Sequence, residues 1–390
     1  MSAHAMNYAM IGGGKDSFIG AVHRKACALD GRARLVAGAF SSTPERSMES
    51  AREIGVPEDR AYGSWQELLS AEADREKHGR VDFVSIVTPN HLHFEPAKAA
   101  LEAGFHVVCD KPFTVHPGQA EELIALADTH NLVCAVTYNY TGFPMVRHAA
   151  ELVRTGQLGT IRKVFVEYHQ GWLATPLEST GMKQAAWRTD PAKAGLGGSL
   201  GDIGTHAENL VSFVTGLEIE SLCADLTSFV PGRELDDDAS VLLRFADSMA
   251  KGVLTCSQVC VGEGNELSLR VYGDQAGLTW NLHDPDTLTV APLEGDPVTL
   301  TRGGESLSDR AKAATRLPPG HPEGFIEAFA NIYLGAIEAI DAKRAGRAPK
   351  GLGAEIPTAA DGLRGVRFVE TCVASAREGS RWVEVEATTT

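Results

Sequence analysis

The chain lacks any apolar run of the ~20 residues that a membrane-crossing helix requires. It also lacks a CxxC pair. Its seven cysteines (Cys27, Cys109, Cys134, Cys223, Cys256, Cys260, Cys372) are odd in number and scattered, several of them within apolar runs. That usage argues against a disulfide framework or a structural zinc site and for free, buried thiols in a reducing compartment. The 13 histidines are likewise dispersed, so no metal is expected. Positive charge is short: 36 Lys and Arg face 51 Asp and Glu, a formal net charge of -15. This excludes nucleic acid and an anionic membrane as expected partners. Residues 1–7 are too few and too polar for a secretory signal, and a cytoplasmic location is expected. There is no internal repeat and no low-complexity tract, apart from a terminal run of threonines expected to be disordered.

What remains is a 390-residue chain of ordinary apolar content, long enough for two or three domains. Its first part alternates short apolar runs with helix-length amphipathic segments. Strands are expected at 8–11, 34–40, 83–87, 106–109 and 133–136, with a helix after the glycine turn running through residue 29, helices at 44–55, 94–103 and 117–130, and a short one opened by Ser64. Alternation of this kind calls for a parallel sheet with right-handed crossovers. The first domain is taken to cover residues 1–140 and the second 141–390. In the second, strands at 161–169, 221–229, 240–245, 252–260, 267–272 and 278–281 follow one another closely after a helix. Tight connections favour a large, mostly antiparallel sheet. Residues 302–322 read as a long loop, and 325–343 and 359–376 as closing helices.

Three features fall just past the ends of predicted parallel strands, the edge at which open α/β sheets bind ligands. Gly12, Gly14 and Gly20 form a glycine turn between a strand and a helix, longer than the usual G-x-G-x-x-G. Thr88-Pro89-Asn90-His91-Leu92-His93 follows the third strand. Asp110-Lys111-Pro112 follows the fourth. In the second domain a glycine-rich run from Gly195 leads to Asp202 and His206, spaced i and i+4 on one helix face. An imidazole beside a carboxylate at a helix start suits acid–base chemistry; a helix-capping Asp202 and a packed His206 suit the same spacing.

Taken together, Gly12-x-Gly14, Thr88-Pro89-Asn90 with His93, Lys111-Pro112 and Asp202-x-x-x-His206 resemble the Gfo/Idh/MocA oxidoreductases over nearly the whole chain. The resemblance implies an α/β protein, with an N-terminal Rossmann dinucleotide-binding domain and a C-terminal α/β domain built on a large, mostly antiparallel open sheet. It implies bound NAD, with NADP as the alternative, and a catalytic trio falling on Lys111, Asp202 and His206. The chain departs from the family in its longer glycine turn and in Asp110, where the family usually has glutamate. Segments around Phe18-Ile19-Gly20, Gly38 to Ser42 and Trp187-Arg188 are most similar to members that oxidise inositols and rare hexoses such as L-glucose.

Under this resemblance His206 takes the proton of a ring hydroxyl as hydride leaves the carbon, Lys111 stabilises the oxygen, and Asp202 orients the imidazole. Lysine as the base stays open. Cofactor contacts are expected from Gly12, Gly14, Ser17, Phe18 and Ile19, from Ser41, Ser42 and Arg46, from Thr88, Asn90 and His93, and from Asp110, Lys111, Asn139 and Arg188. No acid stands at the tip of the second strand; Arg46 would meet a 2′-phosphate while Glu45 would repel one. Substrate contacts are expected from Lys111, Tyr138, Arg188, Asp202, His206 and His321. Arg188 has an ion pair with Asp190 as its plainer reading, Trp172, Met182 and Gln184 either wall the pocket or pack, and His91 is expected to face solvent. A small polyol or sugar is the expected partner, together with further copies of the chain, as a dimer or tetramer through the C-terminal sheet. Two other functions stay open: an NAD-dependent glycoside hydrolase that uses the same trio in transient redox chemistry, and a non-catalytic sugar-binding regulator on the same fold, which would not need the three residues together.

Overall fold

The computed structural model describes residues 5–15, 17–76 and 79–387, and the terminal threonines lie outside them. The chain divides into two compact units. One holds the residues up to Gly142 together with Phe325–Gly362; the other holds Phe143–Gly324 and the chain from Leu363 on.

In the first unit, strands β1 (Met6–Gly12), β2 (Ala33–Ala39), β3 (Phe83–Val87), β4 (His106–Cys109) and β5 (Cys134–Val136) form a sheet in the order β2-β1-β3-β4-β5. All its pairings are parallel. β3, β4 and β5 are buried at every position, which is why they read as continuous apolar runs rather than alternating ones. Helices Phe18–Leu29, Pro44–Ile54, Trp65–Ala73, Phe94–Glu102 and Pro117–Thr129 supply the crossovers. Ser17 and Ser64 cap two of them by accepting from the backbone N–H groups of Gly20 and Glu67. Strand order reverses between β1 and β3, so the crevice beyond the strand ends opens there.

The expected continuous second domain, 141–390, is interrupted. Helix Phe325–Arg344 packs in the first unit, where Phe329, Tyr333, Ile337 and Ile340 join Tyr8, Val22, Ala26 and Phe83 in one core. An apolar stripe at helical spacing states that a helix must bury a face; it does not state against which sheet.

Among the described residues the second unit carries one nine-stranded sheet. Its strands are β6 (Ile161–His169), β7 (Ile219–Thr227), β8 (Asp238–Phe245), β9 (Lys251–Ser257), β10 (Glu266–Gly273), β11 (Ala276–Asn281), β12 (Thr287–Pro292), β13 (Val298–Thr301) and β14 (Val383–Glu384). Their order is β13-β12-β11-β10-β6-β9-β8-β7-β14, antiparallel throughout except for β6 beside β9. β8 shows the governing alternation: Ala239, Val241, Leu243 and Phe245 are buried, whereas Ser240, Leu242 and Arg244 are exposed. Helices Pro144–Arg154 and Thr205–Thr215 lie against the sheet. The expected loop 302–322 contains a short helix, Asp309–Ala313, capped by Ser308. Among the described residues, no helix is long and apolar enough to cross a membrane.

Candidate active site

At the end of β1 the backbone turns through Gly12 and Gly13, both at positive φ (80° and 64°). A Cβ on Gly12 would lie 2.4 Å from the Val87 carbonyl oxygen, and one on Gly14 would lie 2.6 Å from that of Phe40. Gly20 touches Gly13 itself: a Cβ there would sit 2.3 Å from the Gly13 carbonyl oxygen. The longer turn thus still performs the two tasks of a dinucleotide fingerprint, close backbone approach and close helix–strand packing. Ser17 is spent on capping the following helix, and Phe18 stands exposed at its first turn. Arg24 reaches back from that helix to the Gly13 carbonyl. At the tip of β2, Ser42 and Arg46 are exposed and Ser41 is partly so.

The loops after β3 and β4 are tied together. His93 is fully buried, and its ring nitrogens lie 2.8 Å from the Pro112 carbonyl oxygen and 2.9 Å from that of Thr88. Burial lowers its pKa, against the pull of Asp110 and the carbonyls. His93 was expected to line the nicotinamide pocket; the structure instead makes it an internal brace. His91, expected in solvent, is half-buried. Asn90 is buried and Thr88 donates to the Leu92 carbonyl, closing the loop on itself.

Asp110 occupies the next position along this edge. Its Oδ1 accepts from the backbone N–H of Lys111 (2.9 Å) and from the Thr137 hydroxyl (2.8 Å). Burial would raise its pKa, but the His23 imidazole, and then Lys111 and His93, hold it below the ordinary carboxylate range. Lys111 itself is half-buried. Tyr138 and Asn139 follow β5 and are both buried. The Nδ2 of Asn139 finds no hydrogen-bond partner among the described residues. A buried amide donor left over in this way suits a polar ligand at this edge of the sheet.

In the second unit, Asp202 sits inside a π-helical turn, Leu200–Gly204, that runs on into helix Thr205–Thr215. Asp202 therefore does not cap that helix, as the plainer reading had it. Its backbone N–H bonds the Gly198 carbonyl. Its Oδ2 accepts from Arg188 Nε (3.0 Å) and Gln258 Nε2 (2.9 Å). Arg188 lies over the rings of Trp187 (4.2 Å) and Trp172 (5.9 Å) and also donates to Gln184. Asp190, the alternative partner for Arg188, instead caps helix Pro191–Ala194 and pairs with Lys193. His206 is 6% exposed, with the Tyr168 ring 6.2 Å away.

An amide ladder supports this pair. Trp172 donates to Gln170, and Gln170 and Tyr168 both donate to Asn265. From the other side, Asp236 accepts the N–H groups of Gly198 and Leu200 and the Ser199 hydroxyl, each at 2.7 Å. Met182 is exposed and lies outside the ladder. His321 is also exposed; its loop is fixed by the buried Arg302, which bonds the carbonyls of Leu317 and His321 and the carboxylates of Asp286 and Glu323. The residues missed in the sequence were Gln258, Asp236, His23 and Tyr333. Only His23 left a signal, as a polar residue within the buried stripe Gly20, Val22, His23, Ala26, Cys27. Glu263, Glu266 and His283 bring metal-capable atoms within 4.8 Å of one another, but His283 already pairs with Glu266 at the surface.

Residues 6–138 match the model of an oxidoreductase family with an NAD-binding Rossmann fold, and residues 146–279 match that of the GFO/IDH/MocA C-terminal domain. An oxidoreductase of Bacillus subtilis, YfiI, described as uncharacterized, is 36% identical over 383 residues, 97% of this chain and 96% of the relative. The crystal structure of an inositol dehydrogenase homologue from Azotobacter vinelandii, complexed with NADH and myo-inositol, superimposes with a TM-score of 0.90 at 36% identity, covering 98% of each chain. Levoglucosan dehydrogenase of Pseudarthrobacter phenanthrenivorans is 27% identical over 97% of this chain and 98% of its own.

Proposed function

The chain belongs to the GFO/IDH/MocA oxidoreductases, and on that premise we propose that it oxidises a ring secondary hydroxyl of a polyol or sugar, with NAD as the acceptor. An inositol or a rare hexose such as L-glucose is the proposed substrate, and the ketone or lactone the product. The observation that carries this reading is full-length similarity to relatives whose named ligands, myo-inositol and levoglucosan, are both cyclic polyhydroxy compounds.

The first unit fits a dinucleotide. Its glycine turn leaves no room for a Cβ at Gly12 or Gly14, its following helix is capped, and Asn139 keeps a spare buried donor. Gly12, Gly14, Phe18 and Ile19 would hold the pyrophosphate, Ser41, Ser42 and Arg46 the adenosine end, and Thr88, Asn90 and Asn139 the nicotinamide end. When bound, NAD supplies a hydride acceptor. The chain's own groups handle the proton and the charge. We assign His206 as the proton acceptor for the substrate hydroxyl, Lys111 as the donor that steadies the substrate oxygen, and Asp202 as the carboxylate that favours the protonated imidazole. Arg188 and Gln258 both donate to Asp202 Oδ2 and fix the carboxylate. Tyr138, Arg188 and His321 are proposed to contact the remaining hydroxyls.

Assays of inositols, hexoses and sugar acids with NAD and NADP test the reading. Net reduction of NAD by a free cyclic polyol supports it and argues against a hydrolase that regenerates its cofactor. No reduction with any member of the panel contradicts it. A catalytic efficiency tenfold higher with NADP would overturn the cofactor choice. We further propose a cytoplasmic homo-oligomer, at least a dimer through the nine-stranded sheet, whose exposed side includes Leu242 and Tyr272. A monomer mass in light scattering at micromolar protein would contradict that assembly.

A further inference from the structure

A chain of buried polar groups runs behind Asp110 and has no part in the chemistry proposed above. His23 projects from the buried face of helix Phe18–Leu29 and is 0% exposed. Its Nδ1 lies 2.7 Å from the hydroxyl of Tyr333, on helix Phe325–Arg344. The same hydroxyl lies 2.7 Å from the Oγ of Ser85, on β3. Phe329 packs against the ring at 4.9 Å. On its other side, His23 Nε2 faces Asp110 Oδ2 at 3.7 Å and finds no hydrogen-bond partner among the described residues.

The chemistry of these groups gives the chain a direction. A carboxylate can only accept, so the ring nitrogen facing Asp110 carries the hydrogen. With the hydrogen on Nε2, Nδ1 accepts from the Tyr333 hydroxyl, and Ser85 donates to Tyr333. Polarity runs from Ser85 through Tyr333 and His23 to Asp110. Buried polar groups are costly, and a well-packed apolar set would hold the two helices together equally well. What the apolar set would not do is fix the Asp110 carboxylate. Oδ2 faces the His23 imidazole at 3.7 Å, while Oδ1 accepts from Thr137 and from the Lys111 backbone N–H.

We propose that His23 and Tyr333 are positioning residues for Lys111, acting through the Asp110 carboxylate. The proposal rests on the reading of Lys111 as a catalytic residue. Small displacements of a catalytic group are enough to lower turnover without altering affinity.

The test compares Tyr333→Phe, His23→Leu, Asp110→Asn and the double variant Tyr333→Phe/Asp110→Asn. Tyr333→Phe is expected to lower kcat by about ten- to a hundredfold while KM and NADH affinity stay within about twofold. The double variant is expected to be no worse than Asp110→Asn alone, because the two residues act on one group. A readout free of turnover is the imidazole nitrogen spectrum of protein labelled with ¹⁵N in histidine, with His23→Leu identifying the resonance by its loss. Wild type is expected to show the Nε2–H tautomer with an accepting Nδ1, and Tyr333→Phe to lose the Nδ1 signature. Wild-type kcat in folded Tyr333→Phe, or multiplicative effects in the double variant, would overturn the proposal. Lys111→Ala separates the two failures. If it keeps full turnover, the catalytic reading fails; if it is inactive while Tyr333→Phe is not impaired, only the positioning inference fails.

Discussion

In the first unit, the backbone N–H of Lys111 is held by the Asp110 carboxylate, which is itself held by Thr137 and faced by His23. The hold is made on the main chain, among buried groups. In the second unit, it is a side chain that is held: Oδ2 of Asp202 takes Arg188 and Gln258, whose side chains come from segments far apart in sequence. Arg188 is 23% exposed and leans on two tryptophans. The contrast assigns labour. A cofactor of fixed shape suits an edge set by backbone and buried contacts. Substrates that differ in hydroxyl arrangement suit a site whose donors are long, adaptable side chains.

The largest effects should come from the reacting groups themselves. His206→Ala is expected to lower kcat by ~10²–10⁴ at saturating substrate, and Lys111→Ala to lower it comparably. Unchanged turnover in either would remove that residue from the mechanism. Next comes the support of the second unit. Asp236→Ala leaves the N–H groups of Gly198 and Leu200 and the Ser199 hydroxyl without their acceptor. A loss of about 1–3 kcal/mol in unfolding free energy is expected, together with lower kcat, because the segment leads directly into Asp202. Equal stability by urea titration would show that the π-helical turn supports itself.

The rigid edge of the first unit has its own test. His106 opens β4, the strand that leads into Asp110, and its Nδ1 accepts the Val133 N–H at 2.9 Å. Burial first, then Arg344 and Lys343, lower its pKa from 6.5 to about 3. Between those values the unfolded chain binds a proton that the folded protein refuses, so stability should fall as pH falls from 6.5 towards 3. Denaturant titrations across that window should show a shallower fall in His106→Asn than in wild type. Equal slopes would contradict the assignment. The smallest effect belongs to His321. His321→Ala is expected to raise the substrate KM by about 1–2 kcal/mol, with the cofactor constant unchanged. If both constants match wild type, His321 is a surface residue.

The sheet of the first unit was legible because burial on both faces writes short apolar runs between helix-length patterns. Lys111, Asp202 and His206 stood out as candidates because glycine, proline and i, i+4 spacings are local. Pairings such as His23 with Tyr333, 310 residues apart, leave no local trace. Nor does Gln258 announce that it will reach Asp202. Strands β12 and β13 escaped because their positions are mostly exposed or half-buried, so the alternation that marks a strand is missing. The return of helix Phe325–Arg344 to the first unit escaped for a different reason: periodicity gives a buried face but not its partner.

The central claim is oxidation of a ring C–H on a cyclic polyol with transfer of its hydrogen to NAD. It is tested most directly with the best substrate of the panel, deuterated at the ring carbon that is oxidised. The account predicts that the deuterium appears in the reduced nicotinamide, one per ketone or lactone formed, and that His206→Ala abolishes the transfer. Deuterium retained in the sugar or released to water, with no label in the nicotinamide, would contradict it.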